Sequence, residues 1–213
     1  KVDLTLGVYM DENGLCPVFE AVQQAQRELI EEEVTKVYMP PRGDDDYLAG
    51  IQDLVVGVDR RRSMADRLSA VQTPGGCGAV RLGAEVLYAA APNATVWVSN
   101  PTWPVHIPLV GSVGLKFQTY RYYSSDLKGL DFDMMLADLS GAVAGDVVLL
   151  HGCCHNPCGA DPSSEQWSEL VKLVTEKRLV PMIDFAYQGM GAGLQEDASG
   201  VRALIDQVPE MVV

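Results

Sequence analysis

The chain has 213 residues and a mass of 23.1 kDa, and 47% of its residues are apolar, enough for a sizeable core and too many for intrinsic disorder. A formal charge of −13 opposes a phosphate backbone, so a nucleic-acid binder is not expected; only Arg60, Arg61 and Arg62 run together as a basic patch. No apolar stretch reaches membrane-spanning length, and Lys1-Val2-Asp3-Leu4 lacks a signal-peptide layout, so five cysteines read as free thiols in a reducing, cytoplasmic setting with no membrane partner.

In chain order, an extended apolar stretch, Leu4 to Met10, precedes the turn signal Asn13-Gly14. Pro17 opens a predicted helix whose apolar face is Val18, Val22, Ala25 and Leu29; Glu31-Glu32-Glu33 opposes the helix dipole and ends it. Pro40-Pro41-Arg42-Gly43 and the three following aspartates read as a loop before a short helix, Tyr47 to Val56. From residue 71 helical and extended signals alternate. Gly75-Gly76-Cys77-Gly78 precedes a helix over Ala79 to Ala91, then come strands Val96-Trp97-Val98 and Leu115 to Tyr120. A helix is predicted from Asp131 to Leu139, and a buried strand from Val147 to Leu150. Asp161-Pro162 is expected to cap a helix with the stripe Trp167, Leu170, Val171 and Val174. A strand from Leu179 to Ile183 closes at Asp184, and a helix is expected over Asp197 to Val208. Val212-Val213 reads as a strand just begun, so the chain is expected to be the first part of a longer polypeptide.

Short apolar strands alternating with amphipathic helices predict an α/β fold of three layers, a mostly parallel mixed sheet with helices on both faces. Ligands in such folds bind beyond the carboxyl ends of the strands. Polar residues gather there: Asn100 after one strand, His151 to Asn156 after another, Asp184 and Tyr187 after a third.

Each cluster has a plain alternative. His151 to Gly159 holds two histidines and three cysteines, but adjacent Cys153 and Cys154 are badly spaced for one zinc ion, so no metal is assigned. Asn156-Pro157-x-Gly159 also reads as a simple turn. Gly75-Gly76-Cys77-Gly78 reads equally as an anion cradle at a helix start or as a glycine-rich turn. Asp184 reads as a helix cap, a surface charge or the partner of a buried cation, Trp103 as core packing, and His106 as a satisfied polar residue.

Taken together, Gln72 to Ala79, Trp97 to Pro104, His151 to Gly159 and Asp184 to Gly189 make the chain similar to the class I aspartate and aromatic aminotransferases, pyridoxal-phosphate enzymes of fold type I. Leu6-Gly7-Val8-Tyr9 and Thr35-Lys36-Val37-Tyr38 fit the same pattern. The resemblance implies pyridoxal 5′-phosphate as cofactor and a ping-pong transfer between aspartate, glutamate or an aromatic amino acid and a 2-oxo acid. A lyase or decarboxylase of the same fold, or a truncated non-catalytic relative, is the alternative.

The resemblance also implies roles. Asp184 pairs with the protonated ring nitrogen, Asn156 and Tyr187 bond the phenolic oxygen, and Trp103 stacks on the ring. Gly75, Gly76 and Cys77 hold the phosphate, with Tyr38 reaching the phosphate of a second subunit in a homodimer. Gly7, Trp103 and Asn156 face substrate, and His106 and His151 support Asp184 from behind. Residues 1–17 are assigned to a small domain and 18–213 to an incomplete large, cofactor-binding domain. Cys77 and Cys158 stand where the family pattern carries hydroxyl residues. No catalytic residue is assigned within the chain, because none of Lys1, Lys36, Lys116, Lys128, Lys172 and Lys177 has the expected context; the lysine that carries the cofactor is expected beyond Val213.

Overall fold

A computed structural model describes residues 8–213, in two units, one through Met39 and one from Pro40 to Val213. Leu4 to Gly7 of the first extended stretch, and with them Gly7, lie outside the described residues. In the first unit the helix, α1, runs Glu20–Glu32 and stops at extended Glu33. It starts three residues later than Pro17 predicts, after Phe19, which caps with no side-chain hydrogen bond.

The second unit opens with α2 (Asp45–Val56), α3 (Val58–Ser63) and a 3-10 turn. The aspartates expected in a loop build the start of α2 instead: Asp44 Oδ1 accepts from the Tyr47 amide, and Asp45 and Asp46 sit in the first turn, where their charge suits the dipole. There follow α4 (Gly75–Ala90), β1 (Thr95–Asn100), α5 (His106–Ser112), β2 (Lys116–Arg121), β3 (Tyr123–Ser124), β4 (Gly129–Leu130), α6 (Phe132–Leu139), β5 (Val147–His151), α7 (Ser164–Lys177), β6 (Val180–Asp184) and α8 (Ser199–Ile205).

β2, β1, β5 and β6 form, in that order, a sheet in which all described pairs are parallel. The antiparallel part of the predicted mixed sheet is a separate ribbon of β3 and β4. Val212 adds a parallel bridge to Met182 at the β6 edge.

Period-two alternation sorts the strands into layers. Val96, Val98, Val147, Leu149 and Met182 pack with Val80, Ala84 and Leu87 of α4 and Val110 of α5. On the other face Trp97, Val148, Leu150 and Ile183 meet α6, α7 and α8 through Met135, Leu170, Val174, Val201 and Leu204. β5 is buried along its whole length, which is why it reads as a pure apolar run. The fold is α/β with three layers.

Two local expectations change. Ser163, not Asp161, caps α7, in a capping box with Gln166. Asp161 precedes Pro162, which disfavours helical backbone, and its carboxylate turns back to accept from the Cys154 and His155 amides at 2.6 and 2.8 Å. Asp197 does not open α8, because its carboxylate accepts from the amides of Gly189, Gly191 and Ala192.

Candidate active site

Register brings the predicted polar residues to one edge. His151 pairs with Asp184, and the β1–β5 register of Val96 with Val147 brings Asn100 to the same level. From β1 the chain goes to β2 on one side and to β5 and β6 on the other. The strand order therefore reverses between β1 and β5, and at such a switch point a crevice opens beyond the carboxyl ends. Thr102 and Trp103 follow β1, His151 to Asn156 lie at and after the end of β5, and Asp184 ends β6.

A directed chain of hydrogen bonds joins these elements. The Asn156 backbone N–H lies 3.2 Å from His151 Nδ1 and can only donate. His151 therefore carries its proton on Nε2 and donates to Thr102 Oγ1 at 3.2 Å. Thr102 in turn donates to His106 Nδ1 at 2.8 Å, and His106 Nε2 donates to Asp184 Oδ2 at 2.9 Å. An obligate donor at one end and a carboxylate at the other leave one arrangement of protons for neutral rings. Burial, with the neighbouring His155 and His106, pulls His151 down to about 3, so it is neutral at pH 7. Burial opposes ionisation of Asp184, but the hydrogen bond that His106 donates, with the electrostatic influence of the neighbouring imidazoles, holds it below the ordinary carboxylate range.

Trp103 sets its ring edge-to-face on His106, with centroids 5.2 Å apart. Trp103, Asn156, Asp184 and Tyr187 are all half-buried. Among the described residues the Trp103 indole N–H, the Asn156 side-chain amide and the Tyr187 hydroxyl make no hydrogen bond to protein, so their polar ends are available to a ligand.

The glycine loop belongs to the same edge. α4 begins at Gly75, four residues before the predicted start, and Gly75 has φ +75°. Its cap residue, Pro74, offers no side-chain acceptor, so the first-turn N–H groups have no side-chain partner. A Cβ on Gly75 or Gly76 would meet no atom within 4 Å, and Cys77 is exposed. Farther along, Gly83 lies against Met182 and Val212. The connection 91–94 turns the chain back into β1, so α4 runs against the strands. Its start thus lies about 12 Å beyond Gly83 toward the carboxyl edge.

The structure thus brings Trp103, His106, His151, Asn156 and Asp184 together, with Tyr187 in the turn after β6 and the 75–77 loop at the same edge. Tyr38 belongs to the first unit. Sequence reading assigned no role to Thr102, although its spacing of four from His106 was a usable signal. Nor did it assign roles to Ser99 or His155, and it read Asp161 only as a helix cap; their parts here depend on contacts between segments. Among the described residues no group of three or more His, Cys, Asp and Glu side chains is placed to hold a metal ion, and no helix is long and apolar enough to cross a membrane.

Comparison with known proteins matches the chain to aminotransferase class I and II over residues 1–213. The chain belongs to that family. It is 44% identical over 213 residues to an aspartate aminotransferase of Haemophilus influenzae, covering all of this chain and 54% of that protein. It is 44% identical to an aromatic-amino-acid aminotransferase of Pseudomonas aeruginosa, covering 53% of it. An aromatic amino acid aminotransferase solved with 3-indolebutyric acid superposes with a TM-score of 0.93 at 41% identity, over 99% of this chain and 53% of that one. An aromatic-amino-acid aminotransferase from Burkholderia pseudomallei, covalently bound to pyridoxal phosphate, gives 0.92 at 39% identity over 97% and 52%. The chain spans about half the length of the relatives it matches.

Proposed function

We propose that the protein is an aminotransferase that uses pyridoxal 5′-phosphate to move an amino group between aspartate, glutamate or an aromatic amino acid and a 2-oxo acid in a ping-pong cycle. The observation that carries the reading is the Asp184 carboxylate at the switch point, held from behind by His106, with Trp103 edge-to-face on that histidine and Asn156 in the turn after β5. The names of the relatives favour amino transfer over elimination or decarboxylation.

The residues present fit the cofactor by the chemistry of their donor set. Asp184 offers a carboxylate to the ring nitrogen, with its second oxygen already held by His106. Asn156 and Tyr187 offer side-chain donors to the phenolic oxygen, and Trp103 a flat face to the ring. The side-chain-free start of α4 at Gly75, Gly76 and Cys77 suits a phosphate. When bound, pyridoxal phosphate supplies an electron sink for the electrons of the substrate's breaking bond. Asp184 keeps a negative charge facing that ring, and Trp103 and Asn156 limit its rotation. Gly7 next to the substrate and Tyr38 reaching a partner's phosphate complete the reading, with a homodimer in the cytoplasm and a cofactor-carrying lysine C-terminal to this segment.

The test is spectroscopic. Intact protein mixed with pyridoxal phosphate is expected to develop a visible absorbance band of bound cofactor that shifts on adding aspartate, glutamate or tyrosine and returns on adding a 2-oxo acid. Absence of the band overturns the proposal.

A further inference from the structure

Helix α2 stops at Gly57, which takes φ +91° and turns the chain away. The carbonyls of Leu54 and Val55 are therefore left without the N–H groups that another helical turn supplies. Side chains from beyond β6 cover them. Gln188 Nε2 donates to the Leu54 carbonyl oxygen at 2.8 Å, Arg202 Nη2 donates to the same oxygen at 2.9 Å, and Arg202 Nε donates to the Val55 carbonyl oxygen at 2.9 Å. Gln188 Nε2 donates a second time, to the Leu194 carbonyl oxygen at 2.8 Å. Carbonyls only accept, so two of them around one terminal atom make that atom the nitrogen and use both its protons. The Gln188 amide thus has one orientation, and it bridges the end of α2 and the far side of the loop that follows Tyr187.

The other ties of this loop are internal. The Asp197 carboxylate accepts from the amides of Gly189, Gly191 and Ala192, and the Met190 amide donates to the Tyr187 carbonyl oxygen. They fix the shape of the loop but not its place. Among the described residues the only hydrogen bond from 185–194 to another element is the one from Gln188 to α2. The Tyr187 hydroxyl has no protein partner among those residues, so its place follows from its backbone. At its other end α2 is tied beside the 75–77 loop: the Asp44 amide donates to Gln72 Oε1 at 3.0 Å, and the Gln72 amide to the Arg42 carbonyl oxygen at 2.8 Å. We propose that Gln188 is a positioning residue: by holding the end of α2 it sets where the turn after β6 places the hydroxyl of the neighbouring Tyr187. The importance of that hydroxyl rests on the function proposed above; its placement by Gln188 does not.

The test is a double-mutant cycle in the intact protein. A hydroxyl that donates to the phenolic oxygen of bound pyridoxal phosphate favours the ionised form of that oxygen and lowers the pH midpoint of the cofactor's visible band. Gln188→Met keeps the length of the side chain and removes both donors. It is expected to raise the midpoint by about half a pH unit, a roughly threefold change in the equilibrium. Tyr187→Phe should raise it more, and Gln188→Met should add nothing in the Tyr187→Phe background, because both act through one contact. No shift in Gln188→Met, or a shift that adds fully to that of Tyr187→Phe, overturns the proposal. NMR of the cofactor-free protein gives a second measurement. Both Gln188 side-chain amide protons should exchange slowly with water in the native chain, and the Tyr187 ring signals should move in Gln188→Met. Fast exchange of both protons overturns the proposal even if the methionine variant does not fold. If the protein binds no pyridoxal phosphate, the functional reading falls, and the amide protons and ring signals decide the placement of Tyr187 by themselves.

Discussion

His106 Nε2 lies 2.9 Å from Asp184 Oδ2, and the histidine ring is fully buried while the carboxylate keeps 21% of its surface exposed. One oxygen of Asp184 is thereby tied to the protein interior, and the side chain still reaches the crevice. In Asp184→Asn the hydrogen bond survives in neutral form and the charge is lost. Removing a charge-assisted contact costs roughly 1.5–3 kcal/mol, about 10- to 100-fold in rate. The amino-transfer rate of the intact protein is expected to fall by that factor with little change in unfolding midpoint. An unchanged rate would leave Asp184 only a structural part.

Thr102 carries the bonds on both sides of it, to His106 and to His151. Thr102→Val keeps the shape and removes both, leaving two buried ring nitrogens without partners. Each unsatisfied group costs about 1–3 kcal/mol, whereas Thr102→Ser keeps the hydroxyl and should be nearly neutral. Urea unfolding of the two variants checks this; equal midpoints would show that the hydroxyl bears no energy.

Acid should unfold the protein in a window set by two rings. Burial lowers His151 to about 3 and His155 to about 4, from 6.5. Above pH 6.5 neither ring binds a proton in either state, and their contribution to stability is fully present. Below it the unfolded chain takes up protons that the folded chain refuses until about pH 4. Stability is then lost by about 1.4 kcal/mol per pH unit per ring. Urea midpoints measured from pH 7 to pH 5 should fall steadily, and replacing both histidines by Gln should flatten that slope.

Gly152 follows the end of β5, and a Cβ there would lie 2.4 Å from Phe185 Cδ2. Gly152→Ala must therefore push the ring of Phe185, the residue after Asp184. Overpacking of this kind costs about 1–3 kcal/mol. Adding Phe185→Leu should return most of the lost stability in denaturant melts; a second, additive loss would show that the two residues do not compete for space.

The alternation of strands and helices was legible in the sequence because burial on both sides of a parallel sheet leaves apolar runs such as Val147 to Leu150, and helices leave stripes such as Trp167, Leu170, Val171 and Val174. Asp184, Asn156 and Trp103 were legible as motif positions, since each lies next to a strand end that the pattern marks. Local rules failed where a side chain had a distant customer. Asp161 and Asp197 look like helix caps by their neighbours, yet their carboxylates are taken by the amides of 154–155 and 189–192. The proton order from Asn156 to Asp184 was beyond any reading of spacing. It depends on which atoms face one another across β1, β5 and β6, and only the packed sheet decides that.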